Sequence, residues 1–238
     1  MLHGTLEVAG RTAAWWFTER GGGESASPYR SRNLAAHVGD DPAKVRANRD
    51  GLERTLGVGA LSWMGPVHGI ELAELKTPCT ITPNVDALAT SASRVPLTTL
   101  GADCVPMLVA AGDHVIAAHV GWRGLADGMT SSVLRHLAQR GIDPAGARVL
   151  LGPAICGTCY TVAADRAEVI EAASPEALHR LADGGWGADI RRGLTAQWSR
   201  VGAAVQSVGG CTAEDARYFS HRRDGITGRQ AGVIAWLN

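Results

Sequence analysis

The chain has 238 residues, 23 Lys+Arg against 23 Asp+Glu, and 45% hydrophobic with 19% charged residues. That length buries a full core without disulfide or metal staples, and the composition excludes a disordered chain. Zero formal charge with no basic run excludes an electrostatic nucleic-acid binder, and no apolar run reaches the length of a bilayer span.

The start does not read as an export signal, because Glu7 and Arg11 interrupt the apolar residues around Trp15 and Trp16. Five scattered cysteines do not make a disulfide framework. The expectation is a reduced, cytoplasmic protein with no membrane contact. Neither an internal repeat nor an interdomain linker is visible, so residues 1–238 are read as one domain.

In chain order, residues 5–18 alternate and are rich in Val, Thr and Trp, which predicts a strand or hairpin. Gly21-Gly22-Gly23 opens a polar loop through Ser31. A helix is predicted from Pro42, with Asp41 as N-cap and Val45, Leu52 and Leu56 as its apolar stripe. Asn48 and Arg49 share that stripe, so they are structural pins or site residues. Short strands are predicted near 61–67, 70–76 and 95–100. Val105 to Ala110 and Asp113 to His119 read as a hairpin turning at Ala111-Gly112. A helix then runs through Ala126, Met129, Val133 and Leu137, and residues 148–151 form a buried strand. Two helices are predicted near 165–182, restarting at Ser174-Pro175. Another spans Asp189 to Val205, and a strand from Val233 to Leu237 closes the chain. Strands and helices without a strict βαβ rhythm predict an α+β or three-layer domain.

A two-residue turn at Ala111-Gly112 sets Cys104 directly opposite His119, with Cβ atoms about 4.5–5.5 Å apart. One metal ion fits there, since Zn–S and Zn–N bonds are about 2.3 and about 2.1 Å. A three-residue loop would put the two side chains on opposite faces. His68, in Val67-His68-Gly69, is the natural third ligand, and three protein ligands leave one position open, as in catalytic sites. The same residues also admit a buried filler thiol with a hydrogen-bonded histidine, or a Cys104 nucleophile activated by His119. Cys156-Gly157-Thr158-Cys159 is a lone C-x-x-C with no second pair, read as structural. In Tyr218 to Gly225, Arg222 or Arg223 offers a rigid fork for phosphate or carboxylate, Arg223 reading better as an exposed turn.

Together these segments resemble the YfiH/YlmD family, long labelled multicopper polyphenol oxidase or "laccase domain". The matching segments are Ser31-Arg32-Asn33-Leu34, His37-Val38-Gly39-Asp40-Asp41-Pro42 with Asn48-Arg49, Val67-His68-Gly69 and Asp86-Ala87-Leu88. Ala102-Asp103-Cys104-Val105-Pro106, His119 to Gly124, Gly152 to Ile155 with Cys159-Tyr160, and Phe219 to Gly225 complete the set. The resemblance implies an α+β, three-layer α/β/α sandwich with a mixed sheet, similar to the catalytic domain of cytotoxic necrotizing factors. It implies zinc, with copper as the other metal, on His68, Cys104 and His119. It also implies phosphorolysis of adenosine, inosine, guanosine and methylthioadenosine, with deamination of adenosine; other members are described as peptidoglycan editing factors. On that reading Arg49, Arg123 and Arg222 bind phosphate or substrate and Asn33 binds ribose or base. Asp103 or His37 moves a proton to the leaving purine. The partners are a nucleoside and phosphate, and the chain is a monomer or weak homodimer. The alternatives are a Cys–His hydrolase editing peptidoglycan precursors and a copper phenol oxidase. The latter fits poorly with eight histidines and no His-x-His pair. The chain departs from the family pattern at Pro66, Gly101 and His221, where Gln, Thr and Tyr are usual, and at Cys156.

Overall fold

The first two strands, β1 (Leu2–Val8) and β2 (Arg11–Phe17), form a hairpin whose turn residues Ala9 and Gly10 have φ of 50° and 75°. Such left-handed pairs match the twist of the strands they join. In the computed structural model, which describes residues 1–237, helix α1 (Pro42–Leu56) begins where expected. The Asp41 carboxylate accepts from the Ala43 amide at 2.8 Å, and Gly57 ends the helix at φ 66°. The next strands are β3 (Ser62–Gly65), β4 (Leu72–Glu74), β5 (Thr82–Pro83), β6 (Ala87–Thr90) and β7 (Leu97–Gly101).

The central hairpin is β8 (Val105–Ala111) with β9 (His114–Val120). Its turn is Gly112-Asp113, one residue later than the sequence suggested, and Gly112 takes φ 54°. A turn at Ala111-Gly112 would have asked a Cβ-bearing residue for that conformation. Ala111 stays in the strand instead and packs into the core.

Gly128, at φ 95°, splits the expected single helix into α2 (Trp122–Asp127) and α3 (Met129–Ala138). The chain continues through β10 (Arg148–Leu151), β11 (Thr161–Val162) and α4 (Ala164–Ala173). The second helix expected before 182 does not form. Ser174 is extended ahead of Pro175, and one short 3₁₀ turn leads into β12 (Leu178–Arg180). A proline disfavours helical geometry in the residue before it. Then come β13 (Trp186–Ala188) and α5 (Ile190–Ser199), N-capped by Asp189. That helix stops short of Val205, because Gly202 turns at φ 79° into β14 (Ala204–Ser207). Helix α6 (His221–Asp224) and β15 (Gln230–Trp236) complete the chain.

The strands form two mixed six-stranded sheets, ordered β1-β2-β15-β7-β3-β5 and β14-β10-β8-β9-β6-β4, with a small β11-β13-β12 sheet beside them. The α+β class is as expected, and the β layer between the helices is double. Alternation along β8 and β9 shows why. Leu108, Ala110, Val115 and Ala117 meet Phe17, Leu97 and Ile234 of the facing sheet. Met107, Val109, Ile116 and Ala118 meet Leu125, Met129, Val133, Leu194 and Trp198 of α2, α3 and α5. A third cluster joins Leu52 of α1 to Trp63, Leu100 and Val233 on the outer face of the first sheet. The central hairpin is thus covered on both faces and reads as continuous apolar sequence. Among the described residues, no helix is long and apolar enough to cross a membrane.

One buried group predicts an acid sensitivity. His136 on α3 has Nε2 buried with no hydrogen-bond partner among the described residues. Burial first, then Arg140 and His114, pushes its pKa from 6.5 to about 4. The unfolded chain therefore binds an extra proton between those values, and stability falls as pH drops through that window. Melting curves from pH 7 to 4 should show a shallower pH slope for His136→Leu than for the parent. An unchanged slope would remove His136 from the account.

Candidate metal centre and cavity

Asp86, fully buried just before β6, organises the site. Its Oδ2 accepts from the amides of Val67 and Gly69 at 3.1 and 2.8 Å, and its Oδ1 from the amide of His68 at 2.9 Å. These bonds hold the loop after β3 in a shape that gives His68 a φ of 64°. Oδ1 also meets Nδ1 of His119 at 2.9 Å. Burial would raise the Asp86 carboxyl pKa, but His119 and the amides hold it below the ordinary value. An ionised carboxylate makes Nδ1 the donor, so Nε2 of His119 is the nitrogen left to face a metal, the arrangement typical of metal-ligating histidines.

The ligand atoms of His68, Cys104 and His119 lie within 4.8 Å of one another, and the two imidazoles stand edge to face at 4.8 Å. The register that achieves this differs from the expected one. His119 pairs with Pro106, and Cys104 sits just outside β8, two residues along from direct opposition. A two-residue slip keeps both side chains on one face, and diagonal neighbours about 7–8 Å apart remain within reach of a long side chain. The position facing Cys104 belongs to Gly121, where a Cβ would come within 3.0 Å of the Cys104 sulfur. We expect Gly121→Ala to displace the thiolate and weaken metal binding about tenfold or more, measured by competition with a chromophoric chelator. Unaltered affinity would show that the sulfur has room to move.

Burial pushes the Cys104 thiol pKa up, but His119 and His68 bring it down to about 6. Burial pushes the His119 pKa down, and the Cys104 thiolate and Asp86 raise it to about 9. Without a cation the pair is a thiolate and an imidazolium. One thiolate and two imidazoles with a carboxylate behind one of them suit zinc or copper, and leave a coordination position free.

The three side chains line a cavity of about 570 Å³. His37, Asp103, Arg123 and Arg222, expected from the sequence, also line it, together with Arg166, Arg229, Trp122 and Tyr160. Burial, then Arg229 and His119, lowers the His37 pKa and keeps that imidazole neutral. The guanidinium groups of Arg123 and Arg166 lie 4.6 and 4.7 Å from the Trp122 ring, and that of Arg222 lies 4.9 Å from Tyr160. Asp103, at φ 92°, accepts from Thr212 Oγ1 at 2.6 Å and from the Arg222 amide at 2.7 Å. It is the one carboxylate in the lining, and both its oxygens are engaged.

Asn33 and Arg49 lie outside the lining. Asn33 is fully buried; its Nδ2 donates to Ala35 O and Asp40 Oδ2, and its Oδ1 accepts from the amides of Ala35 and Arg229. A side chain so engaged holds the loop before Arg229 and has no group left for a ligand. Arg49 donates to Leu34 O at 2.9 Å and stacks 4.0 Å over Trp63, where burial lowers its pKa to about 10. Asn48 is also a pin, donating to Ser25 Oγ, Ser31 O and Asn33 O. Arg166 carries no local signal, because an arginine on a short helix with only two buried residues usually faces solvent.

The chain is similar over nearly its whole length to several bacterial proteins. It is 40% identical over 236 residues to the purine nucleoside phosphorylase SCO2081 of Streptomyces coelicolor, covering 95% of this chain and 96% of that one. It is 34% identical to the purine nucleoside phosphorylase YfiH of Shigella flexneri, covering 91% and 90%. Among solved structures, Neisseria meningitidis protein NMB0706 superposes with a TM-score of 0.88 at 30% identity, covering 99% of each chain. YlmD from Geobacillus stearothermophilus superposes at 0.84 and 31% identity, covering 97% and 93%. Residues 14–237 match the family described as multi-copper polyphenol oxidoreductase laccase. The chain belongs to that family, in its YfiH/YlmD branch.

Proposed function

We propose that this chain is a zinc-dependent purine nucleoside phosphorylase that also deaminates adenosine, working in the cytoplasm as a monomer or weak homodimer. The observation that carries this reading is the cavity itself. A Cys–His–His ligand set shares about 570 Å³ with four arginines and a single, already engaged carboxylate, within a chain of zero net charge. Such a pocket favours an anionic co-substrate beside a metal. The names of the relatives point to the same substrates. Five free cysteines and no disulfide among the described residues fit a reducing compartment.

His68, Cys104 and His119 would hold the ion, which supplies Lewis acidity and brings the pKa of a water toward about 7. Arg123, Arg166, Arg222 and Arg229 neutralise phosphate, and Trp122 and Tyr160 keep the first three of them stacked and aimed. His37, neutral in its pocket, exchanges a hydrogen bond with the purine. Asp103 acts as a positioning residue: it fixes the backbone of Arg222 and is not free to carry a proton.

The test is incubation with adenosine, inosine, guanosine and methylthioadenosine, with and without phosphate. Base release should require phosphate for all four, while inosine should form from adenosine without it. Arg166→Met and Arg222→Met should each raise KM for phosphate about ten- to a hundredfold, the loss of about 1.5–3 kcal/mol from a charge-assisted hydrogen bond, while sparing deamination. Absence of base release from every nucleoside overturns the proposal.

The thiolate–imidazolium pair favours one second reading, a hydrolase with Cys104 as nucleophile acting on peptidoglycan precursors. Retained zinc with a thiol inert to iodoacetamide speaks against it; a metal-free, reactive Cys104 supports it. Copper phenol oxidation finds less support, since no cluster among the described residues unites more than two histidines.

A further inference from the structure

We propose that Cys156, Cys159, Cys211 and Glu214 form a second metal site, taking zinc or a comparably thiophilic divalent cation, separate from the centre in the cavity. The four ligand atoms lie within 4.8 Å of one another. Glu214 Oε1 is 3.3 Å from the Cys159 sulfur and 3.9 Å from that of Cys156. Tetrahedral zinc with bonds of about 2.3 Å separates its ligands by about 3.7 Å, so a small inward movement closes the site.

The backbone is built for this. The amides of Cys159 and Tyr160 both donate to Cys156 O, at 3.1 and 3.0 Å, coiling the C-x-x-C into a tight knuckle. The Cys156 amide donates to the Cys211 sulfur at 3.2 Å, the kind of bond that orients a ligating thiolate. An isolated parallel bridge between Ala154 and Cys211, with the Thr212 amide donating to Ala154 O at 3.1 Å, brings the third cysteine to the knuckle from far along the chain. The sequence offered no second C-x-x-C; the missing ligands arrive from Cys211 and Glu214. With all four positions supplied by protein, the site is structural.

Its place in the fold gives it a task. One joined segment carries Ile155 and Tyr160, the other Thr212, His221 and Arg222, and all but Thr212 line the cavity. An ion here ties together two walls of the pocket. It positions the Tyr160–Arg222 stack without touching substrate.

The test measures metal stoichiometry by mass spectrometry on the full chain expressed with zinc. The parent should hold about two zinc ions per chain, and both His119→Ala and the double variant Cys159→Ser with Cys211→Ser about one. The combined triple variant should hold none. Identical zinc content with and without the cysteine substitutions overturns the proposal, as does a Cys156–Cys159 disulfide in the metal-free parent. Should the double variant not fold, the parent alone decides. Zinc should shield Cys156 and Cys159 from iodoacetamide and chelation should expose them, while Cys79 reacts equally in both. Equal labelling of all three, with and without chelator, counts against the site.

Discussion

Cys104→Ala should lower kcat/KM for phosphorolysis about 10²–10⁴-fold and abolish inosine formation from adenosine. Several kcal/mol of transition-state stabilisation leave with the ion, and each 1.36 kcal/mol is a factor of ten. The fold should survive, because removing one half-buried sulfur leaves the hydrophobic clusters on either side of β8 intact. Circular dichroism and metal content separate the two effects. Native-like spectra with lost metal and lost turnover are expected, and full turnover without Cys104 would end the metalloenzyme account.

Asp86→Ala should have the largest effect on stability. The carboxylate is fully buried and takes three backbone amides as well as His119. Four hydrogen bonds to the carboxylate are lost, three of them only part-buried, at about 1–1.5 kcal/mol each, which puts the total on the order of 4–6 kcal/mol. That is a large part of the about 5–15 kcal/mol by which a typical domain is stable. The folded-state pKa of Asp86 is depressed, so its contribution is fully present above the ordinary carboxyl value and is lost as pH falls toward the lowered one. Asp86→Asn keeps the shape but mispairs donors with an amide. It should weaken metal binding about 10–100-fold with a smaller change in Tm. If Asp86→Ala melts like the parent, the carboxylate does not organise the loop.

Two of the three clustered side chains, Cys104 and His119, were legible because strand parity is a robust signal. The expected turn was misplaced, yet the slip was an even number of residues and left Cys104 and His119 on one face. Helix α1 was equally plain, since Asp41-Pro42 is local chemistry. Asn48 and Arg49 were ambiguous because polarity on an apolar stripe looks alike whether it serves a ligand or a neighbouring loop. Here both serve backbone carbonyls, and Asn33, singled out by the resemblance alone, serves the same loop. Arg166 and Arg229 were silent for the opposite reason: their role comes from walls that meet only after the chain has crossed both sheets. The doubling of the β layer was hidden as well, because alternating strands buried on both faces read as uninterrupted apolar runs.

Strand β15 lies between β2 and β7, in the interior of the first sheet, although it is the last strand of the chain. During synthesis the amino-terminal hairpin must therefore wait, its inner edge unpaired, until more than two hundred residues have emerged. Such long-range closure slows folding. It also leaves the cavity unfinished until the end: a nascent chain can already carry His68, Cys104 and His119 while Arg229, just ahead of β15, is still inside the ribosome.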